Sequence, residues 1–495
     1  MNTVTKKPEN SETTIICLQH DDMTEKNTPI QINMLMNVLL TLSSIVFPLI
    51  TLPYVTRVLG PENLGKVYFA TSAVTFFAVF AELGIPVYGI RACARVRDDR
   101  RELTRTAHEI MTINLISCLT VYAVLAICMF TVPRFTEDRA LLAVISSSMI
   151  LNALGAEWIY KALEKYTYIT IRSLIMKVLA LIAIFILVRG RSDYVIYGFL
   201  TIAAAAASNI VNMTGIHRYI DIGYKGRMDL RRHLPGMLAL LSLAAAATIY
   251  TNLDIAILDF MKGDMEAGFY GTAVKIKLVL VNLVTSVSAV LLPRTSFLAV
   301  KGDYDRFIML LKRTMSGVIA LAVPAASFFI MFADDCISVL AGEEFSAAVL
   351  PMRIIMPSII FIGISNITGM QMLVPAGKEK EVSHAAWIGA AVDLSLNMLF
   401  IPRFASAGAA ASTLAAEIIV MIYLLRQGGR YSREIISAKA VLIVAAVSAA
   451  AIPACIWVRV TGLGGLAEVI TAALFYFGSY CLIIFVLMRK NVLLR

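Results

Sequence analysis

The sequence predicts an all-α protein that crosses a membrane many times. Hydrophobic residues make up 59% of the 495 residues and charged residues only 16%, against roughly 45–50% and about 25% in soluble chains. A soluble fold could not bury so much apolar surface, so lipid must surround most of the chain.

Fourteen segments are long and apolar enough to span, since about 20 helical residues cross a hydrocarbon core of about 30 Å. The weakest is the eleventh, which Asp393 and Asn397 interrupt. The segments cover 34–55, 67–90, 110–132, 140–162, 167–188, 194–216, 234–257, 269–292, 315–332, 350–374, 384–401, 407–425, 438–458 and 466–488.

Lysine and arginine are distributed unevenly between the two sides of these spans. With the N-terminus inside, the inner segments hold 30 of them, the outer loops nine and the spans five. The inner loop 91–105 alone carries six arginines, and the outer loop 333–349 has neither residue type. The positive-inside rule therefore predicts that both termini are cytoplasmic.

The corners after the first and seventh spans repeat one pattern, which predicts an internal duplication of six spans. LGPENLGKVYFA (59–70) and KGDMEAGFYGTA (262–273) both have two glycines five residues apart, followed by an aromatic and a small residue. Because each repeat would have an even number of spans, both halves have the same orientation in the membrane. Such halves are related by a pseudo-twofold axis along the membrane normal. The predicted units are a cytoplasmic polar tail (1–33), an N-terminal six-helix bundle (34–216), a cytoplasmic basic linker (217–233), a C-terminal six-helix bundle (234–425) and two additional transmembrane helices (438–488).

Several classes of site find no support in the sequence. The seven cysteines are scattered without a CxxC or Cys/His cluster, so neither a metal site nor a disulfide framework is predicted. No G-x4-G-K-[S/T] sequence is present. The net charge of +10 comes from basic residues beside apolar runs, which does not indicate nucleic acid. We predict no catalytic residue and no bound cofactor.

Charged residues inside the spans are the candidates for function, because each costs about 2.5–3.5 kcal/mol at a helix centre. So many cannot face lipid, so several should line a wet cavity. Arg172 and Arg353 lie near span ends, where snorkelling is an equal alternative. Lys275 and Lys277 cannot share one helix face, and Lys275 has Asp254 as an alternative structural partner. The charged residues in spans are Arg172, Lys177, Lys275, Lys277, Arg353, Glu82, Glu157, Asp254, Asp393 and Glu417.

The acids of the spans are candidates for binding a coupling ion, sodium or a proton. Glu82 precedes Leu-Gly-Ile-Pro, which should break the second span. Asp393 and Asn397 are four residues apart and share one helix face. Glu417 lies near the middle of its span and Asp254 in the seventh. Hydrogen bonds between helices are the competing role for these four acids.

Six segments in order resemble motifs of the bacterial oligosaccharide flippases, the polysaccharide-synthesis branch of the multidrug/oligosaccharidyl-lipid/polysaccharide exporter superfamily. Glu82 stands where that family usually has Asp, and Asp393 where Asn is common. The resemblance covers about residues 34–425. Its motifs are TLPYVTRVLGPENLG (51–65), AELGIPVYGIR (81–91), EWIYKALEKYTYITIRS (157–173), YTNLDIAILDFMKGDMEAGFYGTAVKI (250–276), GMQMLVPAGKEK (369–380) and DLSLNMLFIPRFASAGAAASTLAAE (393–417).

The resemblance implies a two-lobed cavity that moves an undecaprenyl-pyrophosphate-linked oligosaccharide between leaflets of the bacterial inner membrane by alternating access. A polysaccharide polymerase and glycosyltransferases are the implied partners. A cationic cavity would offset the phosphate charge. The candidate substrate-binding residues are Arg57, Lys275, Lys177, Arg172 and Arg91. For Arg57, an ion pair with Glu62 is the competing structural role.

Three other functions stay open at this point. A multidrug/cation antiporter of the same superfamily would favour acids over the observed Lys and Arg in its cavity. Only the six oligosaccharide-flippase motifs argue against a lipid II flippase. A membrane polymerase or ligase of lipid-linked sugars usually has a large outer loop, whereas the longest predicted here has about 17 residues.

Overall fold

The computed structural model describes residues 30–224, 226–289, 291–460 and 464–489. Most of the predicted cytoplasmic tail, residues 1–29, and the C-terminal residues 490–495 lie outside them. In the described part of the chain the regular secondary structure is entirely helical, which confirms the predicted all-α class.

Eighteen α-helices follow one another along the described residues. The first nine are α1 (Ile30–Glu82), α2 (Ile85–Ala94), α3 (Arg100–Thr131), α4 (Pro133–Glu137), α5 (Arg139–Gly155), α6 (Glu157–Ala162), α7 (Tyr166–Leu187), α8 (Tyr194–Gly215) and α9 (Leu234–Lys262). The others are α10 (Asp264–Ala289), α11 (Leu292–Lys301), α12 (Tyr304–Met331), α13 (Ala333–Leu340), α14 (Val349–Ile355), α15 (Ser358–Asn366), α16 (Glu379–Ile435), α17 (Ala438–Val460) and α18 (Gly465–Arg489).

Ten helical stretches of the described chain are long and apolar enough to cross a membrane, and a pair bent by 45°, Glu343–Ile355 with Ser358–Leu373, makes an eleventh. Two long helices, α1 and α16, have 53 and 57 residues and change direction at Gly60 and Ala405. Each of these two is long enough to cross twice. Within the described residues, the predicted spans lie on single helices or on consecutive helices, and the protein is a polytopic membrane protein.

The chain breaks after Glu82, as the sequence predicts. Leu83 and Gly84 have φ angles of 47° and 73°, in the left-handed region. The next helix, α2, begins at Ile85 with proline in its first turn. A proline there has no amide hydrogen to lose, so it starts a helix at no cost. The break leaves Glu82 beside a polar chamber inside the N-terminal half.

The two repeated corners meet each other at one end of the molecule. Gly60 and Gly263 have nearly the same backbone conformation, with φ, ψ of 73°, 172° and 85°, 177°. A Cβ on Gly65 would lie 1.8 Å from the carbonyl oxygen of Asp264, and one on Gly268 would lie 2.0 Å from that of Pro61. This reciprocal contact is what a twofold relation between the halves requires. The exact unit boundaries predicted above stay predictions.

Candidate functional site

A cavity of about 410 Å³ lies between the N-terminal half and α10 of the C-terminal half. Its walls come from both segments of α1 and from α7, α8 and α10. Most of the wall is apolar, as in typical ligand sites. Its polar lining residues are Ser44, Thr51, Tyr68, Ser173, Lys177, Tyr197, Thr201, Lys275 and Asn282.

Lys177 enters this cavity from α7, in agreement with its prediction as a lining residue. Its ammonium group donates hydrogen bonds to the hydroxyls of Ser43 at 2.8 Å and Ser44 at 2.9 Å. Hydroxyl groups hold the ammonium in place without neutralising it. The charge of Lys177 therefore remains available to a ligand.

Lys275 enters the same cavity from α10, across from Lys177. Its ammonium nitrogen lies 5.7 Å from the centre of the Tyr68 ring, a cation–π contact. The alternative pairing of Lys275 with Asp254 is wrong, because these two residues form no ion pair in the described structure and Asp254 is instead hydrogen-bonded by Tyr270, Thr413 and Asn397. The prediction that Lys275 and Lys277 use different faces of one helix is confirmed, because Lys277 is the lysine whose electrostatic neighbours include Asp254.

The cavity carries two positive charges and no opposing carboxylate. No aspartate or glutamate is among its lining residues in the described chain. Within those same residues, neither Lys177 nor Lys275 belongs to an ion pair. Two ammonium groups that lack an ion-pair partner, in a mostly apolar cavity, attract an anion.

A second, more polar chamber of about 310 Å³ adjoins the cavity inside the N-terminal half. The two share Ser173 and Ala205, so they are contiguous. Glu82 and Glu157 line this chamber. Arg172 is only 6% exposed and is bound by Asn212 and by Glu157 at 3.1 Å. Arg172 is thus engaged within the protein and does not line the lysine cavity.

Arg57 and Arg91 lie away from the lysine cavity. Arg57 lines a separate cavity with Glu343 and Glu344. Its guanidinium donates to three carbonyl oxygens, of Pro53 at 2.7 Å, Val339 at 2.6 Å and Ser338 at 3.2 Å. The alternative Arg57–Glu62 pair is also wrong, because within the described residues Arg57 forms no ion pair with Glu62, which instead lies 3.7 Å from Lys66. Arg91 is exposed in the last turn of α2.

The remaining membrane acids form a buried cluster in the C-terminal half, between α9, α10 and α16. Asp254 is its centre, and accepts hydrogen bonds from Tyr270 at 2.8 Å, Thr413 at 2.7 Å and Asn397 at 2.8 Å. Asp393 and Glu417 are 2% and 7% exposed and lie close enough to interact electrostatically with Lys277. The shared face predicted for Asp393 and Asn397 therefore points into this cluster.

Two oxygens in the acid cluster remain without a hydrogen-bond partner among the described residues, Asp393 Oδ1 and Asn397 Oδ1. Buried polar atoms normally have a partner, so these two oxygens are exceptional within the cluster. Across the described part of the chain, no group of three or more His, Cys, Asp or Glu residues is arranged to hold a metal ion.

A charged contact between the halves, which the sequence did not predict, lies beside the glycine corners. Arg134 of α4 binds Asp259 of α9, with Nη2 to Oδ2 at 3.0 Å, and also Asp264 of α10. It further contacts Asp138 at 3.1 Å and the face of Phe69 at 4.5 Å. Arg191 and Glu344 add a second ion pair between the halves, at 2.6 Å. The signal in the sequence that could have indicated this contact is an arginine beside acidic residues in the short predicted outer loop that contains Arg134.

The sequence matches the family described as "Polysaccharide biosynthesis protein" over residues 31–299, more than half of the chain. The chain belongs to this family. That match includes the lysine cavity and both repeated corners.

Two curated relatives of this polysaccharide biosynthesis protein carry the description "Putative O-antigen transporter". The Escherichia coli K12 relative is 23% identical over 388 residues, covering 77% of this chain and 92% of its own. The Shigella dysenteriae relative is 25% identical over 404 residues, covering 80% and 98%.

Among solved structures, one titled "Lipid II flippase MurJ, inward closed conformation" superposes with a TM-score of 0.72 at 16% identity, covering 94% of this chain and 100% of that one. At this identity the likeness shows a shared fold. The fold of this family member is therefore the one predicted.

Proposed function

We propose that the protein is a flippase that moves undecaprenyl-pyrophosphate-linked oligosaccharide from the inner to the outer leaflet for cell-surface polysaccharide synthesis. The observation that carries this proposal is the cavity with Lys177 and Lys275 and no acidic residue in its described wall. A pyrophosphate cannot cross hydrocarbon unaided, and two ammonium groups offset its charge at the midpoint of the path.

The charge of the cavity also separates this proposal from a multidrug/cation antiporter. A cationic drug would be repelled by two unpaired lysines at close range. The described acids of the membrane region lie instead in the adjoining chamber and in the C-terminal cluster. Similarity to the two relatives described as O-antigen transporters supports a lipid-linked oligosaccharide, and not lipid II, as the cargo.

A cavity of about 410 Å³ lies within the range of small-ligand sites, about 300–1,000 Å³. We propose that it holds the pyrophosphate and the adjoining sugar. The lipid tail stays in the bilayer, and the remaining sugars need a more open form of the cavity. The contacts of Arg134 and Arg191 join the halves on the face predicted to be outer, so this form is closed there. Rocking of the halves would open it.

We propose that the acid cluster couples transport to a sodium or proton gradient. Three carboxyl groups around one lysine would carry a surplus of negative charge if all were ionised, and such a surplus is expensive at membrane depth. A proton or a monovalent cation at Asp393 and Asn397 would remove that surplus. The cluster lies on α9, α10 and α16, and α10 also carries Lys275. Binding of an ion at the acid cluster can therefore change the position of Lys275 in the cavity through a movement of α10.

The experiment uses proteoliposomes with a fluorescent lipid-linked oligosaccharide in one leaflet. Its appearance in the other leaflet is followed by accessibility to a membrane-impermeant glycosidase. We expect the protein to accelerate this exchange well above empty liposomes, and to leave a fluorescent cationic dye untransported. Faster transport of the dye alone would contradict the flippase proposal and support a cation antiporter.

A second arm presents lipid II in place of the lipid-linked oligosaccharide, in the same liposomes. Faster exchange of the oligosaccharide supports a role in surface polysaccharide synthesis. Faster exchange of lipid II would assign the protein to the peptidoglycan precursor. A chemical change in either lipid, seen by mass spectrometry, would support a polymerase or ligase.

A further inference from the structure

The last turns of α16 contain a sharp bend that no part of the proposed transport path uses. Gly429 has φ 57° and ψ −127°, a conformation that breaks the helix and is open to glycine. A cavity of about 560 Å³ lies at this bend. We call it the elbow pocket. It is lined by Ile422, Leu425, Arg426, Gly429, Ser432, Arg433 and Ile436.

The wall of the elbow pocket is divided between apolar and cationic residues. Ile422 is 40% exposed near the end of an apolar span, where exposed means in contact with lipid. Arg426 and Arg433 are exposed beyond it, one on each side of the bend. The pocket therefore extends from the acyl region to the level of the lipid head groups.

The two arginines of the elbow pocket are unpaired within the described part of the chain. Neither Arg426 nor Arg433 takes part in an ion pair or side-chain hydrogen bond there. Their neighbour Arg430, also exposed, donates to Glu434 at 2.9 Å. The same short segment thus contains one neutralised arginine outside the pocket and two free guanidinium groups inside it.

We infer that the elbow pocket binds the head group of an anionic phospholipid. A guanidinium group binds a phosphodiester through paired N–H donors, and two such groups favour a lipid with a net negative charge over a zwitterionic one. The apolar floor accepts the first part of the acyl chains. By the predicted topology the pocket faces the cytoplasmic leaflet, whose anionic lipids attract basic residues at the end of a span.

The test measures lipid binding to the purified full-length protein by native mass spectrometry, with phosphatidylglycerol and phosphatidylcholine of the same acyl composition. We expect the wild type to prefer phosphatidylglycerol. Arg426→Ala and Arg433→Ala should each weaken its binding by about tenfold, the size of one lost charge-assisted contact. Arg426→Lys should keep part of the affinity, because the charge remains while the paired donors are lost.

Arg430→Ala is the matched control, since it removes an equal charge about one turn away but outside the pocket. Equal loss in Arg430→Ala would show general attraction to the basic segment and overturn the site. Equal binding of both lipids by the wild type would overturn it independently of any variant. Displacement of the lipid by inorganic phosphate alone, or preferentially by a polyprenyl pyrophosphate, would assign the pocket to free phosphate or to the cargo and also overturn the proposal.

Discussion

Arg57 shows how a residue inside a family motif can have a structural task. Two of its three hydrogen bonds to carbonyl oxygens, those to Ser338 and Val339, join the end of the first span to α13 in the other half. We predict that Arg57→Ala lowers the rate of lipid exchange while leaving the affinity for the lipid-linked oligosaccharide within about twofold, since no ligand contact is lost. Arg57→Lys should rescue little, because an ammonium group cannot reach three diverging acceptors. A tenfold loss of affinity would return Arg57 to the binding site.

The acid cluster leads to the second residue-scale prediction. If Asp393 and Glu417 carry the coupling ion, Asp393→Asn and Glu417→Gln remove one negative charge each at nearly constant shape. We expect transport in proteoliposomes to continue but to lose its response to a sodium or proton gradient. Asp393→Asn should have the milder effect, because the flippase motif that this segment resembles commonly has Asn at that position. An unchanged gradient response in both variants would leave the cluster a structural one.

The sequence identified the cavity lysines because a charge inside an apolar span is expensive and needs a reason. It could also separate Lys275 from Lys277 by helix geometry. It could not determine which lysine faces the acids, because that depends on how α10 is rotated against α9 and α16. Tyr68 and Ser44 were not predicted at the cavity, since hydroxyl residues occur throughout the spans.

At the scale of elements, the glycine corners are the most sharply constrained contact. Added methyl groups at Gly65 and Gly268 would collide with backbone oxygens, which cannot move aside as side chains do. We predict that Gly65→Ala and Gly268→Ala each lower the stability of this form by about 1–3 kcal/mol. Thermal unfolding in detergent measures the loss as a lower Tm.

The matched control for the corners is Gly317→Ala, in the middle of α12, where an added Cβ meets nothing within 4 Å. That change should leave Tm unchanged or raise it slightly, because alanine favours a helix. Equal Tm in all three variants would mean that the corners separate easily. The sequence predicted the repeat from these glycines, but not that the two copies touch each other, because a one-dimensional pattern does not determine packing.

At the scale of the whole molecule, Arg134 is the main charged link between the halves on the face predicted to be outer. It is only partly exposed and has four acidic neighbours, so its removal leaves repelling carboxylates on both sides. We predict that Arg134→Ala shifts the protein toward an outward-open form. A cysteine at Thr201, inside the cavity, should then react faster with an impermeant thiol reagent added from outside.

The labelling experiment begins with the native cysteines replaced, and it contains its own controls for orientation. A cysteine at Glu343 should react only from outside and one at Arg97 only from the cytoplasm. Reaction of both from one side would contradict the predicted topology. An unchanged rate at Thr201 in Arg134→Ala would mean that Arg134 does not hold the outer face closed.

The central claim is that the two unpaired lysines of the cavity bind the pyrophosphate, and affinity measures this most directly. Binding of a short-chain, soluble polyprenyl-pyrophosphate-linked sugar is measured by calorimetry on wild type, Lys177→Ala, Lys275→Ala and the exposed control Lys301→Ala. The account predicts a loss of about 10- to 100-fold for each cavity variant, the range of one charged hydrogen bond, and no change for the control. Wild-type affinity in both Lys177→Ala and Lys275→Ala would contradict it.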